Sequence, residues 1–201
     1  MNIVHSLATF AVIFPAELPD KSMFAAVVMG TKYRWLPVWV GLAGAFLAHV
    51  VIAVSAGGVI SLLPHTVVAF IVGTCFAVGA WLMFRNFEQG DQAEETEKSI
   101  GSVDATSNKK IAATAFGIVF VSEWGDLTQI ATINLSARYD DPLGVAIGAI
   151  AALWLVTGLG VLLGRKLVRT IPMKLVRRIA GTVLLALSIW SFVDFGRALA
   201  A

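Results

Sequence analysis

The sequence is poor in charge. Only 14% of its 201 residues are Asp, Glu, Lys or Arg, against about 25% in an average soluble domain, while 58% are hydrophobic and the mean hydropathy is +0.82. That scarcity excludes a soluble globular domain. Nearly every apolar run reaches the ~20 residues a helix needs to cross about 30 Å of hydrocarbon, so the chain reads as an all-α, polytopic membrane protein. A single cysteine, Cys75, excludes an intramolecular disulfide. The start, Met1-Asn2-Ile3-Val4-His5, has no basic region ahead of its apolar stretch and no small-residue cleavage pattern, so the first run is a retained span. A net charge of only +2, with Lys and Arg confined to loops, leaves no basic face for nucleic acid. The glycines at 41, 44, 57, 58, 158, 160 and 164 follow no strand, which excludes a nucleotide-binding loop and points to close helix contact.

What is present organises into six spans, at about 3–30, 37–60, 65–87, 111–137, 142–164 and 174–196. Pro37, Pro64, Pro142 and Pro172 stand at or just before a new run, where a missing N–H does least harm. Residues 88–110 form an acidic, Ser- and Gly-containing connector, read as a solvated linker rather than a metal-collecting tail. Lys32, Arg34, Arg85, Lys98, Lys109, Lys110, Arg165, Lys166, Arg169, Lys174, Arg177 and Arg178 all fall on one side if the spans alternate. Calling that side cytoplasmic places both termini on the other, with only Arg138 and Arg197 there. Trp35, Trp39, Trp154 and Trp190 lie near span ends or among the glycines and need no ligand.

Two stretches break the apolar pattern. Glu17-Leu18-Pro19-Asp20-Lys21-Ser22 and Glu123-Trp124-Gly125-Asp126-Leu127-Thr128 repeat Glu, Asp and a hydroxyl at one spacing, 106 residues apart. Tyr33 and Tyr139 share that offset, and Gly73-Thr74 matches Gly181-Thr182 two residues further on. The chain is therefore a duplicated three-span unit, 1–87 and 111–201 around the linker. An odd number of spans per unit inserts the second copy upside down, giving two inverted three-helix repeats.

An ionised carboxylate at a helix centre costs about 2.5–3.5 kcal/mol, so four facing lipid would cost roughly 10–14 kcal/mol. Glu17, Asp20, Glu123 and Asp126 must face protein or water and be protonated, paired or bound to a cation. Residues i and i+3 share a helix face, and the inverted repeat brings both faces together near the midplane. Four carboxylates with nearby hydroxyls make a hard-oxygen site suited to Ca²⁺, Mn²⁺ or Mg²⁺, whereas Zn²⁺ or Cu⁺ sites normally bring Cys, His or Met sulfur. In a regular helix Ser22 and Thr128 face away from their Asp, about 200° around. Pro19 and Gly125 predict a local break that relieves this and exposes backbone carbonyls. Lys21 either neutralises Glu17 or takes part in proton coupling. Asn134 lies on the Asp126 stripe and reads equally as packing or as an exit-path residue; His49 reads as structure or proton relay, and Asp194 with Arg197 as interfacial anchors.

These paired motifs resemble E-x-G-D-[K/R]-[S/T] of the small six-span divalent-cation/proton antiporters, which include the Golgi manganese and calcium transporters. The resemblance spans both halves. It implies Mn²⁺ or Ca²⁺ exchanged for protons across a membrane, with metal ligands among Glu17, Asp20, Ser22, Glu123, Asp126, Thr128 and Gln129. Glu17, Asp20, Lys21, Glu123 and Asp126 would serve proton coupling or charge balance. The chain departs from the motif at Pro19, at Met23 where Gln commonly follows, and at Leu127 in place of a base. The expectation is thus a secondary transporter rather than an enzyme, in a bacterial plasma membrane, with a divalent ion, protons and lipid as partners, no resident cofactor, and a homo-oligomer as an option. A Ca²⁺-selective exchanger, a small-organic-cation exporter, an intramembrane acid/base enzyme and a non-transporting subunit are the alternatives.

Overall fold

The apolar runs become helices throughout residues 2–18, 20–84, 107–170 and 173–200, which the computed structural model describes. In chain order these are α1 (Ile3–Glu17), α2 (Lys21–Lys32), α3 (Trp35–Ile60), α4 (His65–Phe84), α5 (Asn108–Ser122), α6 (Leu127–Tyr139), α7 (Pro142–Thr170) and α8 (Met173–Ala200), with no strand among the described residues. Three stretches, Trp35–Ile60, Pro142–Leu163 and Arg178–Leu199, are long and apolar enough to cross a membrane. Many large side chains point outward, Leu62 at 83% and Val121 at 75% exposure among them, as an integral membrane protein requires where lipid replaces water.

Two expected spans need correction. The runs at 3–30 and 111–137 are not continuous helices; each is a pair, α1/α2 and α5/α6, that meets at an acidic motif. Asp20 and Asp126 both have extended backbone (ψ 166 and 165), which ends one ladder and starts the next. The connector is also shorter than 88–110, because Ser107 caps α5 by accepting the Lys110 N–H (3.3 Å), so Lys109 and Lys110 are helical. Expectations resting on Pro19, Pro172, the connector at 85–106 and the side chains of 164–177 lie outside the described residues.

Packing interlocks the two halves. α3 lies against α5 and α6, the broken pair of the second half; α7 lies against α1 and α2, the broken pair of the first. α3 also crosses α7, and α4 packs along α8. The exchange extends to single residues. A Cβ at Gly41 of α3 would collide with the Ala112 carbonyl of α5, and one at Gly148 of α7 with the Ser6 carbonyl of α1. Ser6 and Ala112 are themselves 106 apart. With no apolar drive between helices in lipid, such backbone-close contacts supply the association. Gly41→Val or Gly148→Val is expected to lower the melting temperature in detergent sharply, whereas Gly58→Val, with nothing within 4 Å of its added carbon, is not. Trp39 and Trp154 seal the α3–α7 crossing edge to face at 5.7 Å, and Trp154 Nε1–H donates to the Ala43 carbonyl (3.1 Å).

The ends of the bundle are tied by charge. Arg138, in the last turn of α6, donates to Asp194 (2.6 Å) and Ser191 (2.8 Å) of α8 and lies 4.6 Å from the Trp190 ring. Asp194 is therefore an interhelical partner rather than only an interfacial anchor. In the α6–α7 turn, Asp141 accepts the Asn2 backbone N–H (2.6 Å), the Gly144 N–H (3.1 Å) and a bond with His5 Nδ1 (3.1 Å). The Asn2 and Gly144 amides hold the Asp141 carboxyl down at about 2, so this clasp loses its charge only when pH falls to that value.

Candidate functional site

Both helix breaks use the same local chemistry. Each Glu closes one helix and each Asp, in extended backbone, precedes the next, Asp126 alone also capping it through its side chain; the turn between is closed by Asp20 N–H donating to the Glu17 carbonyl (3.1 Å) and Asp126 N–H to the Glu123 carbonyl (3.2 Å). In the second turn the chain must pass through φ +74 at Gly125, a conformation in which a Cβ is strained. The carboxylates thus sit at helix termini, where backbone groups freed by the break can contribute to a ligand shell.

The breaks converge. Glu17, Asp20 and Asp126, from both halves, each offer a carboxylate oxygen within 4.8 Å of the others. Glu123 lies close enough to feel the charges of all three. Glu17 is fully buried and Glu123 is 2% exposed. Most tellingly, Glu17 Oε2, Asp20 Oδ2 and Glu123 Oε2 are buried with no hydrogen-bond partner among the described residues. Buried polar oxygens are nearly always satisfied, so three orphaned acceptors in one cluster describe a place for protons or a cation.

The hydroxyls join this cluster because the helices break. Ser22 Oγ–H donates to Glu17 Oε1, and Thr128 contacts Asp126 Oδ2 through its backbone N–H (3.3 Å) and its hydroxyl (3.4 Å). Gln129 is not brought to the acids in the same way: its Oε1 accepts the Gly125 N–H (2.7 Å) and its Nε2 faces His49 Nδ1 (2.9 Å). Lys21 heads α2 on the far side of the break from Glu17, and its charge falls on Asp20 and Glu123 instead. The position equivalent to Lys21 holds Leu127, whose side chain fills the notch left by Gly79 of α4. The missing base is thereby replaced by helix packing. Asn134 is buried on α6 with its Nδ2 unpartnered.

A narrow cavity of about 10 Å³, the space of roughly one water, lies beside the cluster between α3 and α6. His49, Glu123, Thr128, Gln129 and Thr132 supply its polar wall. Nothing in the sequence singled out this role for α3, because His49 is 74 residues from Glu123 and its apolar neighbours read only as a span.

The sequence matches the family described as divalent cation/proton antiporter GDT1 over residues 5–91 and again over 111–198, once in each half. It is 31% identical to the GDT1-like protein sll0615 of Synechocystis over 87% of this chain and 89% of that one. Identity to GDT1-like protein 5 of Arabidopsis thaliana is 27%, over 92% and 93%. The chloroplastic PAM71-homolog of the same plant is 30% identical over 92% of this chain, which spans 58% of that relative's length. No solved structure matches.

Proposed function

The chain belongs to the GDT1 family of divalent cation/proton antiporters, transporters rather than enzymes, and from that premise we propose that it exports Mn²⁺ in exchange for protons through one site shared by its two halves. The observation that carries this reading is the convergence of Glu17, Asp20 and Asp126 within 4.8 Å. Oxygen ligands of this kind accept Mn²⁺ and also Ca²⁺, which is the second cargo to test. Glu17, Asp20, Glu123 and Asp126 hold the cation, with Ser22 and Thr128 as neutral oxygens. Gln129 braces the second turn instead of ligating.

Exchange follows from competition. The same carboxylates hold either protons or a divalent ion, because neither four bare charges nor a cation with all protons retained is affordable at this burial. Lys21 trims the negative surplus. Access alternates as the two interlocked halves, inverted relative to each other, rock about the α3–α7 crossing, with the broken turns carrying the site. The six expected spans then count each broken pair once, both termini lie outside a bacterial plasma membrane, and inward protons drive metal out of the cytoplasm. In reconstituted vesicles an imposed pH gradient is expected to drive Mn²⁺ uptake against its concentration, with collapse of the gradient by a protonophore stopping it. Uptake indifferent to the gradient overturns the coupling.

A further inference from the structure

The two broken turns are each closed by an Asp N–H bonded to the carbonyl of the Glu three residues before it, but they are not held by the same means. In the first, the Phe14 carbonyl accepts the Leu18 backbone N–H (3.3 Å), so the helix closes its own end. α5 closes its own end one residue earlier, where the Val119 carbonyl accepts the Glu123 N–H (2.9 Å), and the carbonyl equivalent to Phe14, at Phe120, turns to another helix. It is bonded by the imidazole of His49 from α3 (3.0 Å). The other ring nitrogen meets Gln129 of α6 (2.9 Å), and Gln129 in turn takes the Gly125 N–H (2.7 Å).

Partner chemistry fixes every proton in this chain. A carbonyl only accepts, so His49 Nε2 carries the hydrogen and donates to Phe120; Nδ1 is then an acceptor for the Gln129 amide N–H. A backbone N–H only donates, so Gln129 turns Oε1 toward Gly125, which is the orientation that leaves its amide nitrogen facing His49. No conflict remains. One side chain of α3 thereby grips both pieces of the broken helix, the α5 end through Phe120 and the α6 start through Gln129. Phe120 and Trp124 clasp the ring at centroid distances of 5.0 and 5.8 Å. His49 is buried at the inner end of this path, Gln129 is half-buried and Gly125 lies exposed at the outer end.

The first half lacks the device. Met23 stands at the position of Gln129, and Leu155 at the position of His49 on the same 106-residue offset. We propose that His49 and Gln129 form a positioning strut that sets the Glu123–Asp126 turn for cation binding, making the second half the fixed jaw of the site and the first half the adjustable one. This rests on the acidic cluster being the transport site.

The test is a double-mutant cycle on Mn²⁺ transport in vesicles, with Asp126→Asn as the control for the site itself. His49→Leu and Gln129→Met are each expected to raise KM for Mn²⁺ about three- to tenfold, what one buried hydrogen bond is worth, with Vmax changed less than twofold. The double variant is expected to lose no more than either single, because each removes the same strut. His49→Gln, which keeps a donor and an acceptor, is expected to restore most of the affinity. Gln129→Met adopts the residue of the first half and keeps the volume, so it reports on the strut even if His49→Leu folds poorly. Unchanged KM in Gln129→Met, multiplicative losses in the double variant, or His49→Gln behaving like His49→Leu overturns the strut while Asp126→Asn still abolishes transport. Normal transport in Asp126→Asn overturns the site and the strut with it.

Discussion

Asp20→Asn and Asp126→Asn are each expected to abolish divalent-cation transport, although the two residues lie in different halves of the chain. An amide keeps the size of the side chain and one of its oxygens but removes the charge that a divalent ion requires. Asp20 brings a buried oxygen with no hydrogen-bond partner among the described residues, and Asp126 brings one within 4.8 Å of Glu17 and Asp20. If the halves carried separate sites, each substitution would leave half of the activity. A single shared site predicts at least a hundredfold loss from either, since a buried charge–charge contact is worth about 3 kcal/mol or more when one partner is removed. Initial rates of Mn²⁺ and Ca²⁺ uptake measure this directly.

The second large effect has opposite signs in the absence and presence of metal. Glu17→Gln is expected to stabilise the metal-free protein and to remove its stabilisation by Mn²⁺. The Glu17 side chain has no exposed surface, and one of its oxygens has no partner. Without a cation that carboxylate is either protonated or bears an unpaired buried charge, and both are costly; glutamine keeps an acceptor for Ser22 and offers N–H donors toward Asp20. The gain is about 1–3 kcal/mol. With metal at a hundredfold excess over Kd, the wild-type protein gains about 2.7 kcal/mol that the variant does not. Thermal denaturation with and without MnCl₂ reads both signs. A variant that is less stable without metal yet still shifts with Mn²⁺ contradicts the assignment of Glu17 as a ligand.

Much of the candidate site is legible in the sequence. The acids announced themselves because ionised groups in apolar runs are expensive, and their repetition 106 residues apart made chance packing an inadequate account. Glycine at 125 ahead of Asp126 pointed to a break, and φ +74 there is the physical reason. The runs at 3–30 and 111–137 read as single spans because hydropathy averages over a short polar break and is blind to hydrogen bonding. The motif reads Gln129 as a metal ligand, while its hydrogen bonds to Gly125 and His49 are set by the fold and carry no signal in the sequence. The Arg138–Asp194 pair was equally hidden, since residues 56 apart carry no local signal of their meeting. On a continuous helix Lys21 would lie one turn from Glu17; the break removes that neighbour relation.

The halves thus emerge as unequal partners built on one plan. α3 and α7 exchange broken pairs symmetrically, yet only the turn of the second half is held by first-half residues in this way, Leu127 by Gly79 and Gln129 by His49. Duplication supplies the paired acids, and later divergence alters how each pair is held.

The central claim is that one cation is held by both halves together, and counting bound ions tests it most directly. Equilibrium titration of the purified protein with Mn²⁺, read by the loss of the free-ion paramagnetic resonance signal, is predicted to saturate at one high-affinity ion per chain, and Asp20→Asn and Asp126→Asn are each predicted to bind none. Two ions per chain, with each substitution removing one and sparing the other, would contradict it.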